Sequence, residues 1–223
     1  MKKLLLACVF VVPTAATAAD MRVPPAAAAP APVVYDAFSG FYLGAHAGWG
    51  FNDGGGNALS AVPLSGVNVS VPQGVVGGLH AGYGQRWANV FYLGIEGDGD
   101  ISAINAGGNG LITASSKNDW MASLRARAGF IPVGHAMIYG TAGWGWSGGS
   151  FTLASPIGST TANPTVNGFV WGGGLEVPFS PNWLGRVEYL RYDFGSTTVN
   201  GTIATFTAND RIEVVRAGLS YKF

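Results

Sequence analysis

Residues 211–223 read RIEVVRAGLSYKF. Taken in steps of two back from Phe223, the residues Tyr221, Leu219, Ala217 and Val215 make one unbroken apolar row. Lys222, Ser220, Gly218, Arg216 and Val214 fill the other. That is the period of a β-strand with one oily face and one mostly polar face. Such a strand must pair along both edges or present a sticky edge to other chains, and closing the sheet on itself removes the edge altogether. The stretch therefore predicts the closing strand of a barrel. The rest of the chain has to say which face meets solvent.

The 223 residues are 48% hydrophobic and only 11% charged, with 35 glycines. Such a chain is too apolar for disorder. Beyond the first twenty residues no run approaches the ~18 consecutive apolar residues of a spanning helix. A membrane protein lacking such helices has one solution, the closed barrel, because lipid cannot satisfy open backbone groups.

Lys2 and Lys3, then an apolar run from Leu4 to Val12, then the small residues Ala16, Thr17, Ala18 and Ala19 follow the layout of a secretory signal, which predicts a signal peptide over 1–19. Leu5, Leu6, Ala7 and Cys8 imitate a lipidation box, but the apolar run before Cys8 is shorter than the ~7 residues of a signal core. Without 1–19 the chain keeps ten basic and twelve acidic side chains and no cysteine. That excludes thiol and disulfide chemistry and offers nothing to nucleic acid. Residues 20–37, with Pro24, Pro25, Pro30 and Pro32, read as an extended Pro/Ala-rich periplasmic lead-in, leaving 38–223 for the barrel.

The barrel opens with SGFYLGAHAGWGFN at 39–52, where Phe41, Leu43, Ala45, Ala47, Trp49 and Phe51 face away from Tyr42, Gly44, His46, Gly48 and Gly50. The same alternation recurs near 73–87, 91–101, 120–130, 136–146, 168–177 and 183–194, where Leu190 interrupts it. With the closing strand this predicts eight strands. The connections alternate, with long ones at 53–72, 102–117, 148–165 and 195–209 and short ones at 88–90, 131–135 and 179–182. Brief turns at one end and longer loops at the other are the outer-membrane arrangement. The expected fold is all-β, an eight-stranded antiparallel up-and-down transmembrane β-barrel.

A soluble eight-stranded barrel would turn its oily row inward. Here Glu96, Arg125, Arg127, Glu176, Arg186, Glu188 and Arg216 all fall in the row opposite the large apolar residues, together with most of the glycine. An eight-stranded barrel has an interior barely wide enough for side chains, which suits glycine and a few long charged groups. The oily row then faces lipid. Aromatics collect at the strand ends, with Phe41, Trp87, Phe91, Phe130, Trp183 and Phe223 at the short-turn end and Trp49, Trp120, Trp144, Trp171 and Phe194 at the other. Two such belts are what headgroup interfaces select.

With its export signal, its Pro/Ala tether, SGFYLGAHAGWG at the barrel start, EYLRYDFG at 188–195 and GLSYKF at 218–223, the chain resembles the RopB-like small outer-membrane proteins of alphaproteobacteria, in the porin-type outer membrane beta-barrel family. The resemblance covers 38–223. It implies a surface-exposed, often antigenic barrel with no established catalytic residues, whose partners are outer-membrane lipid, lipopolysaccharide included, and the barrel-insertion machinery. It also implies that Val215, Ala217, Leu219, Tyr221 and Phe223 form the signal that this machinery reads, with Ala217 and Ser220 lighter than is typical.

His46 and His80 fall on the inward row of neighbouring strands, and a metal site there would need Glu96 as third ligand. The alternative, which we expect, is a pair of neutral interior histidines bonded to water or Tyr92, with no metal and no cofactor. His135 falls in a short turn. No G-x-S-x-G or H-E-x-x-H motif occurs, and no catalytic residue is assigned. The charged row is expected to plug the lumen. A structural or surface role then stands first, a small-solute pore is the alternative, and an enzyme acting on lipid A comes last because no catalytic group falls at the outer rim.

Overall fold

The computed structural model describes residues 36–51, 58–60, 68–69, 73–88, 90–109, 113–132, 136–156, 158–200 and 205–223. The signal peptide, nearly all of the lead-in and His135 lie outside the described residues. Eight long strands make the wall: β1 (Gly40–Phe51), β2 (Gln73–Trp87), β3 (Phe91–Asn109), β4 (Thr113–Phe130), β5 (Met137–Ser155), β6 (Thr165–Pro178), β7 (Trp183–Asn200) and β8 (Thr205–Lys222). Each pairs antiparallel with the next. The wall closes where β1 meets β8, from Tyr42 opposite Lys222, through Ala45 opposite Leu219, to Phe51 opposite Glu213. Three short segments, Ala58–Ser60, Asn68–Val69 and Gly158–Ala162, pair with the far ends of β8, β3 and β5.

The sidedness follows the alternation. Leu79, Ile95, Ile101 and Leu124 are each more than half exposed, while Glu96, Arg125, Arg127 and Arg216 are buried. A surface so rich in bare Leu, Ile, Val and Trp is stable only against hydrocarbon. At the short-turn end, rings pair across strands: Phe41 with Tyr83 at 4.7 Å, Phe91 with Phe130 at 5.9 Å and Trp183 with Tyr221 at 5.2 Å. Such contacts stiffen the rim as well as anchoring it.

Two expectations need correction. Much of what reads as loop at 102–117, 148–165 and 195–209 is strand: β3, β5 and β7 run on to Asn109, Ser155 and Asn200, and β4 and β8 start at Thr113 and Thr205. In water neither face has to be apolar, so these Ser-, Thr- and Gly-rich extensions carry no period-two signal, and the backbone ladder alone holds them. Phe194, assigned to the aromatic belt, is instead buried inside, as is Leu190. Leu190 keeps to the inward row. What changes there is the chemistry of the lumen, not the register.

The lumen is filled in three layers. Toward the long-loop end an apolar layer contains Val76, Ile104, Met121, Leu190, Phe194 and Val214. At the short-turn end a second contains Phe38, Tyr92, Ile131, Met137 and Leu184. Phe38 enters this floor from the segment before β1, held by Asp36, whose Oδ1 accepts the Phe38 and Ser39 amides at 3.1 and 3.3 Å. The ionised residues lie between the two layers.

Candidate functional site

Strand alternation sends Glu96, Asp98 and Asp100 of β3 and Arg125 and Arg127 of β4 to one side of the wall, and register sets Glu96 opposite Arg125. Glycine makes the room. Gly143 of β5 stands opposite Arg125, and a Cβ there would lie 2.6 Å from the Arg125 Cα.

Glu96 is the hub. Its Oε1 accepts Arg125 Nη2 at 2.7 Å, and its Oε2 accepts Arg186 Nη1 at 2.5 Å, Arg127 Nη1 at 3.1 Å and the Tyr42 hydroxyl at 2.8 Å. Arg125 also donates to Asp98 Oδ2 at 2.5 Å, Glu188 Oε1 at 2.9 Å and, through Nε, Ser123 Oγ at 2.9 Å. Arg216 donates to Glu188 Oε2 and Asp98 Oδ2, both at 2.8 Å. Arg127 reaches Glu176 Oε2 at 2.8 Å and lies 4.0 Å above the Tyr139 ring. All seven charged residues singled out in the sequence thus lie in one connected, buried network. Taking so many ions out of water is tolerable only because each has at least one opposite partner within ion-pair distance, and Glu96, Arg125 and Arg216 have three.

Asp98, which alternation already puts on the inward row with Glu96, and Asp100 join the network, and neither is in the charged set read from the sequence. Their signal was available, since they continue the row of Glu96 in steps of two. Outward charges were missed as well. At the long-loop rim Arg191 pairs with Glu213 at 2.8 Å and Arg211 with Asp193 at 3.5 Å, at the height where Trp171 stands opposite Arg191. Charges on the lipid face cost little there and much more at the bilayer centre.

His46 and His80 do meet, with Nδ1 atoms 3.1 Å apart and rings stacked at 5.3 Å. Glu96 is not their third neighbour, because its oxygens are taken by arginine and Tyr42. Asp100 Oδ1 instead contacts His46 Nε2, and Ser220 Oγ lies 2.8 Å from His80 Nε2. Among the described residues no group of three His, Cys, Asp or Glu side chains is placed to hold a metal ion. The order carboxylate, imidazole, imidazole, hydroxyl resembles a nucleophile-activating relay, yet Ser220 is buried. Val215, Ala217, Leu219, Tyr221 and Phe223 all face outward on β8 and the residue after it.

The sequence profile described as "Outer membrane protein beta-barrel domain" matches residues 4–223. The chain belongs to the outer membrane beta-barrel family. Its membrane is accordingly the bacterial outer membrane. Relatives within reach of sequence comparison include the 31 kDa outer-membrane immunogenic protein of Brucella melitensis, 32% identical over 244 residues and covering all of both chains. A 25 kDa outer-membrane immunogenic protein of Brucella abortus is 28% identical and covers 100% of this chain and 99% of that one. The outer membrane protein OprG from Pseudomonas aeruginosa shares the barrel fold, at 14% identity and a TM-score of 0.56, over 83% of this chain and 98% of that one.

Proposed function

We propose that this outer membrane beta-barrel is a closed, non-catalytic envelope protein that displays its long-loop end at the cell surface, with a structural and antigenic or adhesive role. The observation that carries this reading is the layered lumen: a network of ion pairs lying between two layers of buried, mostly apolar side chains. Solute passage would have to break ion pairs and displace both apolar layers. The two Brucella relatives named as immunogenic proteins support display of the long-loop end, as do the polar strand extensions that reach it. A buried Ser220, out of reach of any substrate, supports the absence of hydrolytic chemistry.

On this reading residues 1–19 direct export, 20–37 remain in the periplasm, and the outward row ending at Phe223 is presented to the insertion machinery. The lipid face and its rim of rings and ion pairs take outer-membrane lipid, lipopolysaccharide included, and nucleic acid is no partner. Planar-bilayer recording of the purified barrel tests the closed lumen. Absence of steady single-channel currents is expected, and large, steady currents would replace the reading with a small-solute pore. Protease added to intact cells is expected to cut within the long loops, and cuts at 131–135 would invert the topology.

A further inference from the structure

The segment in front of β1 is not part of the wall. Asp36, Ala37, Phe38 and Ser39 lie in no strand. The seam of β1 with β8 is complete without them, from Tyr42 opposite Lys222 to Phe51 opposite Glu213, with the Phe223 amide donating to the Phe41 carbonyl at 3.0 Å. Yet Ala37 and Phe38 are only 8% and 5% exposed. They share the short-turn layer with Tyr92 of β3, Met137 and Tyr139 of β5, Leu184 of β7 and Ile131 from the turn after β4.

Gly40 makes the bend from wall to lumen. Its φ is +122°, a region open to glycine and strained for residues with a Cβ. Space is not what demands glycine there, because a Cβ would come no nearer than 3.5 Å to the Phe223 carbonyl oxygen. Polar contacts tie the segment to the wall at its two ends. Lys222 Nζ donates to the Asp36 carbonyl oxygen, and the Arg86 amide donates to Ser39 Oγ at 2.9 Å. Between those ends the Asp36 carboxylate holds the Phe38 and Ser39 amides from within the segment.

We infer that Ala37 and Phe38 are a stopper in the short-turn mouth, hinged at Gly40, and that its withdrawal lets water into the short-turn layer while the wall stays shut. Withdrawal breaks no rung of the β-ladder. It gives up the two ties to the wall and the burial of one ring and one methyl group, a local opening that segments next to a chain terminus undergo far more readily than strands.

What lies behind the stopper is the ionic network. The Arg127 guanidinium stands 5.7 Å from the Tyr92 ring and 4.0 Å from the Tyr139 ring, and both rings belong to the layer that Phe38 completes. Glu176, which Arg127 holds at 2.8 Å, stands two residues before Pro178, the end of β6 at this mouth. The inference rests on the closed-lumen reading above and adds a second state to it, in which solvent reaches this end of the network with all eight strands still paired.

Thiol modification tests it. The chain has one cysteine, Cys8, so Cys8→Ser gives a thiol-free background. Two buried methionines serve as reporters, Met137 in the stoppered layer and Met121 in the opposite one, 0% and 1% exposed. Met137→Cys and Met121→Cys barrels in detergent micelles, which leave both mouths open, are treated with a water-soluble methanethiosulfonate reagent and followed by mass. Both thiols are expected to react far more slowly than in the urea-unfolded chain. Adding Phe38→Gly is expected to speed Met137→Cys about 10- to 100-fold, the factor that burial of one aromatic side chain supplies, and to leave Met121→Cys unchanged. Gly40→Ala, which removes nothing from the layer, is expected to act in the same direction, and Phe38→Leu to stay slow. An unchanged Met137→Cys rate in both Phe38→Gly and Gly40→Ala would overturn the stopper, as would equal acceleration of the two reporters, which means a loosened wall. If Phe38→Gly fails to fold, Gly40→Ala decides. Fast reaction of both thiols with the stopper intact would strike the closed-lumen reading itself, and the stopper with it.

Discussion

Arg125 of β4 and Glu188 of β7 touch at 2.9 Å across the lumen, although β5 and β6 stand between their strands in the wall. The ion pair is therefore a strut joining opposite sides, and Arg216 of β8 extends it by holding the other Glu188 oxygen. Replacing Arg125 with Met leaves buried Glu96, Asp98 and Glu188 each short of a partner. The expected loss is about 3–5 kcal/mol of unfolding free energy, read from urea unfolding of the barrel in lipid. A change within experimental error would mean that the network contributes nothing the wall does not.

Glycines on the two faces should behave oppositely. Gly99 points outward, and a Cβ there would meet nothing within 4 Å, whereas at Gly143 it would lie 2.1 Å from the Leu124 carbonyl oxygen. Gly99→Ala is expected to stay within about 0.5 kcal/mol of the parent. Gly143→Ala is expected to cost about 1–3 kcal/mol through overpacking. Equal effects on melting in detergent would contradict the assigned faces.

Depth along the lipid face is open to the same kind of measurement. Leu79, which lies between Ala45 and Gly99 midway along the wall, is expected to cost about 2–4 kcal/mol as Leu79→Arg, and Phe41→Arg at the rim about 0–1 kcal/mol. Refolding into vesicles over a urea series compares them. A rim substitution that costs as much as the central one would move the bilayer boundary.

Acid should loosen the segment that carries Phe38. Burial alone would raise the Asp36 pKa, but the Ser39 side chain and the Phe38 and Ser39 amides bond the ionised form and hold it below the usual carboxylate range. A lowered folded-state value means that the contribution is present above the unfolded pKa and is lost as pH falls through the folded one. Amide exchange at Phe38 and Ser39 is expected to be slow at neutral pH and to quicken in strong acid. Asp36→Ala should be fast throughout and insensitive to acid, and an unchanged acid response in that variant would assign it to other groups.

Strand count, closure and sidedness were legible because lipid and lumen impose opposite chemistry on alternate residues, so RIEVVRAGLSYKF and SGFYLGAHAGWG each declare both faces. The charged row was legible for the same reason, down to Glu96 and Arg216. Two things were not. The wall above the rim stands in water and needs no alternation, so residues such as Ser115 and Thr152 read as loop. The interior also changes from ionic to oily along its length, which made Leu190 look like a break and Phe194 like a belt residue. The Asp100 contact with His46 depends on the stagger of β1 against β3, two strands away, which spacing along the chain does not encode.

The seam between β1 and β8 sets an order of events in assembly. Ala45 pairs with Leu219, and 173 of the 223 residues lie between them. A chain lacking the residues from 213 onward has no partner for β1, so a sheet formed from the rest keeps two bare margins of unpaired amides and carbonyls. Escort through the aqueous compartment is thus a requirement of the topology itself, and a ribosome that stops early leaves material that cannot shut and is prone to clump.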